Sequence, residues 1–85
     1  MEDLGIETTI EKIIDEIIEI KLKERTIYNV SITKETKFAD IDFDSLDVME
    51  VIIEAEGLVR RKIENKRIKN IFTVEDLYNL FKNVD

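Results

Sequence analysis

A single serine, Ser45, lies between two aspartates where the sequence changes from irregular to helix-like spacing. The stretch F-D-S-L-D-V-M-E-V begins at Phe43, and apolar residues recur at helical intervals after the serine. Serine and aspartate are favoured at helix starts because a side-chain oxygen can accept a hydrogen bond from an unpaired backbone N–H. A phosphodiester on the serine would meet the same N–H groups and the positive end of the helix dipole. Ser45 is therefore either a helix cap, flanked by Asp44 and Asp47, or the attachment point of a phosphate group.

The chain lacks the side chains that most enzymes use for catalysis. Its 85 residues include no cysteine and no histidine. This composition removes the thiol nucleophile, the usual general base and the commonest metal ligands. We predict a single small domain over residues 1–85 that is not a self-contained enzyme.

The charge is strongly negative but unevenly distributed. The formal net charge is −7, from 20 acidic and 13 basic side chains. This balance argues against nucleic acid as a ligand and favours basic protein partners. Residues 58–69 are the exception, because they hold six Lys and Arg residues and one acid, Glu64. The basic run is either a solvated short helix or a surface for nucleic acid or an anionic membrane.

Neither a signal-peptide pattern nor an apolar run of about 20 residues, the length that spans a bilayer, is present. We expect a cytoplasmic protein with no membrane span, and a monomer.

Hydrophobic periodicity predicts an all-α fold. In the first predicted helix, isoleucines recur at offsets of three and four until about Lys23; they are Ile6, Ile10, Ile13, Ile14, Ile17 and Ile18. A long loop is predicted over residues 25–44, with Ile27, Val30, Ile32 and Phe38 held against the core. The second helix is predicted from Ser45 to about Val59, and it is apolar around so much of its circumference that we expect neighbours on several sides.

A short third helix is predicted over residues 65–70, and a last helix near Thr73. There T-V-E-D has the form of a capping box with Asp76 in place of Glu or Gln. Val74, Leu77, Tyr78, Phe81 and Val84 form its predicted buried stripe. The predicted architecture is a small four-helix bundle, made of three longer helices and one short third helix, with a long loop between helices one and two.

This arrangement resembles the acyl carrier protein family, including the related aminoacyl and peptidyl carriers. In that family the serine of a D-S-L motif at the start of the second helix carries 4′-phosphopantetheine, taken from coenzyme A. The matching residues here are Asp44, Ser45 and Leu46. The resemblance extends from about Ile6 to Phe81 and includes T-V-E-D-L at the last helix. It implies a non-catalytic carrier, primed by a phosphopantetheinyl transferase and served by acyl- or aminoacyl-loading and condensing enzymes.

The resemblance also implies two recognition regions. Asp47, Glu50 and Glu54 would form an acidic face of the second helix that docks onto basic patches of partner enzymes. A fatty or polyketide cargo would shelter in an apolar pocket, for which the candidate lining residues are Met49, Ile53, Ile63, Ile68 and Ile71. The alternative for each acidic residue is an ordinary solvated face. The alternative for each apolar residue is an ordinary core position. The sequence does not distinguish fatty, polyketide, aminoacyl and D-alanyl cargo.

Two other functions stay open. The basic run departs from the family pattern, which favours a specialised carrier but also fits an interaction module that keeps the carrier fold and is never primed. Asp40, Asp42 and Asp44 imitate the start of a calcium loop and define a metal- or anion-binding alternative. The imitation fails further on, because Ser45 and Val51 occupy positions where such loops need Gly and Glu. We therefore predict no metal site.

Overall fold

The computed structural model describes the backbone of residues 5–28 and 30–82, and the side chains of residues 9–28 and 30–82. This part of the chain contains three α-helices: α1 (Gly5–Glu24), α2 (Ser45–Val59) and α3 (Val74–Lys82). Two 3-10 turns, Phe38–Ile41 and Asn65–Arg67, lie in the connections. A lone β-bridge joins Lys37 to Thr73, and the described residues form no strand. The predicted all-α class is confirmed.

The first helix is the centre of the core. Ile10, Ile14, Ile17, Ile18 and Leu22 are all buried along one side of α1. Their spacing of three and four residues is what an amphipathic helix needs to bury one continuous stripe. This helix packs against both α2 and α3. The side chain of Ile6, also predicted for the stripe, lies outside the described residues.

The second helix has the predicted bounds, but part of its apolar surface is exposed. Val48, Val51, Ile52 and Ala55 are buried. Three apolar side chains, Leu46, Ile53 and Leu58, are between 60% and 66% exposed. The prediction that α2 has neighbours on several sides therefore holds only in part: α1 packs against the helix and the segment before α3 lies beside Met49, but these three apolar side chains stay exposed.

The third helix begins with the predicted capping box. The Thr73 Oγ1 atom accepts a hydrogen bond from the Asp76 N–H at 3.2 Å, and the Asp76 carboxylate accepts one from the Thr73 N–H at 3.0 Å. The Asp76 carboxylate also accepts a hydrogen bond from the Phe72 N–H at 2.9 Å. Burial by itself raises the pKa of Asp76, but these hydrogen bonds outweigh it and hold the pKa below its ordinary value.

The buried side of α3 contains the predicted Val74, Leu77, Tyr78 and Phe81 together with Leu80. Val84, the remaining residue of the predicted stripe, lies outside the described residues.

The predicted short third α-helix is a single 3-10 turn of three residues. Lys62, Lys66 and Lys69 recur at helical spacing, and like charges so placed destabilise a helix. The Glu64 side chain makes no capping hydrogen bond at the start of the turn, and Asn70 has a left-handed backbone with φ of 57°. Three α-helices are therefore observed in the described residues, where a four-helix bundle was predicted.

The long loop before α2 is fastened to the segment before α3. The Phe38 N–H donates to the Phe72 carbonyl at 2.9 Å, and the Val74 N–H donates to the Thr36 carbonyl at 3.0 Å. Phe38 is buried, and Ile27 and Ile32 pack partly against the core, as predicted. Val30 does not follow the prediction, because it is 38% exposed. These bonds hold the part of the loop from Thr36 onward, which leads directly to Ser45.

Among the described residues, no helix has both the length and the apolar character that crossing a membrane requires.

Candidate functional site

The start of α2 is capped by Asp44. The Asp44 carboxylate accepts a hydrogen bond from the Asp47 N–H at 3.0 Å, and the Asp47 carboxylate accepts one from the Asp44 N–H at 3.0 Å. Ser45 is the first helical residue and is exposed. Within the described part of the chain its hydroxyl makes no hydrogen bond. The interpretation of Ser45 as the helix cap is therefore wrong, since Asp44 satisfies the backbone in its place.

Arg25, just beyond the end of α1, holds the residues on either side of Ser45. Its guanidinium binds the Asp47 carboxylate, donates to the Asp42 carbonyl at 2.9 Å, and lies 5.4 Å from the centre of the Phe43 ring. Phe43 in turn stacks on Phe38, with 6.0 Å between ring centres. One side chain thus fixes both the loop that enters α2 and the first turn of that helix.

These contacts determine the ionisation of Asp47, whose carboxylate is buried. Burial by itself raises the pKa of Asp47. Hydrogen bonds from the Asp44 backbone and the Arg25 guanidinium, together with the positive charge of Arg25, outweigh burial and lower the pKa below its ordinary value. Asp47 is therefore a charged structural group that joins the loop, α1 and α2.

An apolar groove of about 480 Å³ opens beside Ser45. Its lining brings together the end of the long loop, the first two turns of α2, and the segment before α3. The lining residues are Lys37, Phe38, Ala39, Phe43, Asp44, Ser45, Val48, Met49, Ile68, Asn70, Ile71 and Phe72. Apolar side chains dominate this set, so the groove suits an apolar group attached at or near Ser45.

Three of the five residues predicted to line a cargo pocket lie on this groove: Met49, Ile68 and Ile71. The other two lie elsewhere. Ile63 is only 3% exposed and belongs to the core, whereas Ile53 is 60% exposed on α2. Periodicity could not separate these positions, because it identifies apolar residues without showing which side of an element another segment covers.

The three acidic residues predicted for partner docking also lie in different environments. Asp47 is buried and bound to Arg25, so it does not belong to an exposed acidic face. Glu50 forms an ion pair with Lys21 of α1, and about half of its side chain is exposed. Glu54 is exposed and has no ion pair within the described residues. The accessible face of α2 thus combines Glu50 and Glu54 with the exposed Leu46 and Ile53.

The metal-binding alternative gains no geometric support. Asp44 is engaged in the helix cap, and Asp42 has a left-handed backbone with φ of 62° at the end of a 3-10 turn. No group of three or more acidic side chains in the described residues converges as a metal site.

Two features of the site were missed by sequence reasoning. Arg25 carries no motif signal, and its role depends on a contact with a residue 22 positions away. Lys37 and Phe72 line the groove because a β-bridge between Lys37 and Thr73 brings two distant segments together. A pairing of this kind leaves no periodic trace in a single sequence.

The chain resembles several proteins named acyl carrier protein. It is 30% identical over 66 residues to one from Phytoplasma australiense, with 76% of this chain and 87% of the relative covered. It is 31% identical over 67 residues to one from Myxococcus xanthus, covering 78% and 85% of the two chains. A third, from Kocuria rhizophila, is 30% identical over 74 residues, covering 86% and 91%. No protein-family model and no solved structure gives a significant match.

A helical fold with D-S-L at the start of its second helix, and relatives matched over most of their length, define the class of this protein. The chain belongs to the acyl carrier protein family.

Proposed function

We propose that this chain is a non-catalytic carrier that holds acyl or aminoacyl groups on a 4′-phosphopantetheine attached to Ser45. The attached group would supply a thiol that takes up the cargo as a thioester. Asp44 and Leu46 would complete the motif that a phosphopantetheinyl transferase reads. Loading and condensing enzymes of fatty acid, polyketide or related biosynthesis would then act on the cargo.

The observation that carries the proposal is the state of the Ser45 hydroxyl. Ser45 is an exposed residue, its hydroxyl is not needed for capping because Asp44 caps the helix, and it helps to line an apolar groove. The backbone N–H groups of Ser45 and Leu46 belong to the unpaired first turn of a helix, where a phosphodiester is favoured. The residues present therefore fit a phosphate ester at this position. The acyl carrier relatives support the same assignment at the level of the family.

The test is intact-mass spectrometry before and after incubation with coenzyme A and a broad-specificity phosphopantetheinyl transferase. We expect the mass to rise by one phosphopantetheine, with the modified peptide containing Ser45. If no mass is gained, and protein purified from its native cell is also unmodified, the proposal fails. That outcome would favour an interaction module that has kept the fold without the prosthetic group.

Partner docking should depend on Glu54, the exposed carboxylate of α2 that has no ion pair among the described residues. Glu54→Lys should lower the rate of priming several-fold at low ionic strength, because charge complementarity mainly speeds encounter. The difference should shrink as salt is added, since exposed charges are then screened. The measurement is kcat/KM of the transferase as a function of salt.

Glu16→Lys provides a control with the same change of net charge, on an exposed position of α1. Equal effects of the two substitutions would contradict a docking role for Glu54 and would indicate a response to total charge alone.

A further inference from the structure

The connection between α2 and the segment before α3 presents a dense group of positive charges, which we call the basic segment (residues 60–69). It contains six Lys and Arg residues and a single acid, Glu64. Arg61 and Arg67 are partly buried. The exposed cations are Arg60, Lys62, Lys66 and Lys69.

The basic segment is anchored to the neighbouring helices although little of it is helical. Ile63 is buried in the core, and its N–H donates to the Glu56 carboxylate at 2.8 Å. The Arg61 guanidinium donates to the Phe81 carbonyl at 2.6 Å. These contacts tie the segment to α2 and α3 at two neighbouring positions. The exposed cations are therefore displayed from a fastened backbone, which lowers the entropy cost of binding through them.

The positive charges of this segment are not neutralised by the rest of the protein. Elsewhere, acids and bases pair across elements, as in Lys21 with Glu50 and Arg25 with Asp47. Within the basic segment, Lys66 lies 3.7 Å from Glu64, but both side chains are more than two-thirds exposed, and such pairs contribute little. In the described part of the chain, Arg60, Lys62 and Lys69 have no acidic partner.

We propose that the basic segment is a docking surface for an acidic patch on a partner protein. Its charge is opposite to that of such a patch, and exposed apolar side chains flank it in the sequence, with Leu58 before it and Phe72 after it. Apolar and aromatic contacts bordered by charges are typical of protein interfaces. Docking through this surface does not require Ser45 to be primed, so the proposal goes beyond the carrier function.

A bounded acidic patch fits the charge distribution better than an extended polyanion. A bilayer or a nucleic acid duplex presents negative charge over a wide area and would also meet the field of a chain with net charge −7. A patch on a protein needs to face only the basic segment. The chain would then offer two faces of opposite charge, one on α2 for basic partners and one here for acidic partners.

The test uses a defined acidic probe and two variants of equal net charge. The ¹⁵N-labelled protein is titrated with a helical peptide that carries four glutamates on one face. A triple reversal to Glu within the basic segment changes Lys62, Lys66 and Lys69. The matched control reverses three exposed lysines elsewhere to Glu, namely Lys12, Lys23 and Lys34. The comparison probes are vesicles of anionic and zwitterionic phospholipid and a short DNA duplex.

We expect the glutamate peptide to shift the amide resonances of residues 60–69. The triple reversal in the basic segment should weaken binding of the glutamate peptide roughly tenfold at low salt. The control reversal should change the affinity for the peptide less than about twofold. Equal weakening by both variants would overturn the proposal, because it would show a response to total charge. It would also be overturned by the absence of shifts in residues 60–69, or by tighter binding to vesicles or duplex than to the peptide.

Discussion

Ser45→Ala should abolish attachment of phosphopantetheine and leave the free energy of unfolding almost unchanged. The substitution removes the hydroxyl that would form the phosphodiester. It should not remove the helix cap, because the Asp44 carboxylate already accepts the hydrogen bond from the Asp47 N–H. Alanine is also a good helix former at an exposed first-turn position. Intact mass after the priming reaction and urea unfolding at pH 7 measure the two effects.

Two controls separate function from stability in this experiment. Ser31→Ala changes the other serine of the chain and should keep the full mass gain. Asp44→Ala removes the observed cap and should cost about 1 kcal/mol of stability. A mass gain retained in Ser45→Ala would eliminate the proposed attachment site. A larger stability loss in Ser45→Ala than in Asp44→Ala would contradict the assignment of the cap.

Arg25→Met should destabilise the protein by about 2 kcal/mol and slow the priming of Ser45. The substitution keeps an apolar side chain of similar length but removes the hydrogen bonds to the Asp47 carboxylate and the Asp42 carbonyl. A hydrogen bond to a charged group contributes about 1.5–3 kcal/mol, and partial exposure of the guanidinium places this case in the lower part of that range. Asp47 would keep its bond from the Asp44 N–H but would be buried without its cation.

Under the proposed function, priming should slow because Arg25 also fixes residues next to Ser45. Without it, Phe43 and the loop around Asp42 lose their anchor beside Ser45. The expected result is a lower kcat/KM of the transferase at a temperature where the variant is still folded. The control is Lys21→Met, which breaks an ion pair whose acid, Glu50, is about half exposed, and which should cost less than about 1 kcal/mol. Equal losses in the two variants would contradict a special role for Arg25.

The ion pair between Arg25 and Asp47 should make the stability of the protein depend on pH. The folded-state pKa of Asp47 lies below its ordinary value, so the carboxylate stabilises the fold above its unfolded pKa, near 4. That contribution is lost as the pH falls through the folded pKa. Arg25→Met should raise the folded pKa of Asp47 toward its ordinary value. The stability difference between wild type and variant should therefore be largest near pH 7 and should shrink toward pH 3.

Local features of the fold could be predicted from the sequence because they depend on residues three or four positions apart. The isoleucine spacing of α1, the start of α2 at Ser45, and the capping box of Thr73 and Asp76 all involve such short separations. The acyl carrier motif is equally local, and the relatives confirm the family it indicates. The prediction of a short third helix was wrong because local signals do not determine the conformation of this segment. Its sequence lacks a cap and repeats like charges, so its conformation follows the anchoring of Ile63 and Arg61 instead.

The roles of individual site residues required the tertiary structure. Ser, Asp and Asp at a helix start are nearly equivalent as caps in sequence, and only the folded geometry assigns that role to Asp44 and leaves the Ser45 hydroxyl exposed. Asp47 was expected to be a docking residue, but in the structure it is a buried partner of Arg25, which is 22 positions away. The groove likewise includes Met49 and Ile71 but not Ile53. Thus the sequence alone predicted the three longer helices and the family, and it singled out Ser45 as the proposed attachment site, since these depend on short-range spacing and a contiguous motif. Packing across distant segments decided which side chains hold the site, which line the groove and which face solvent.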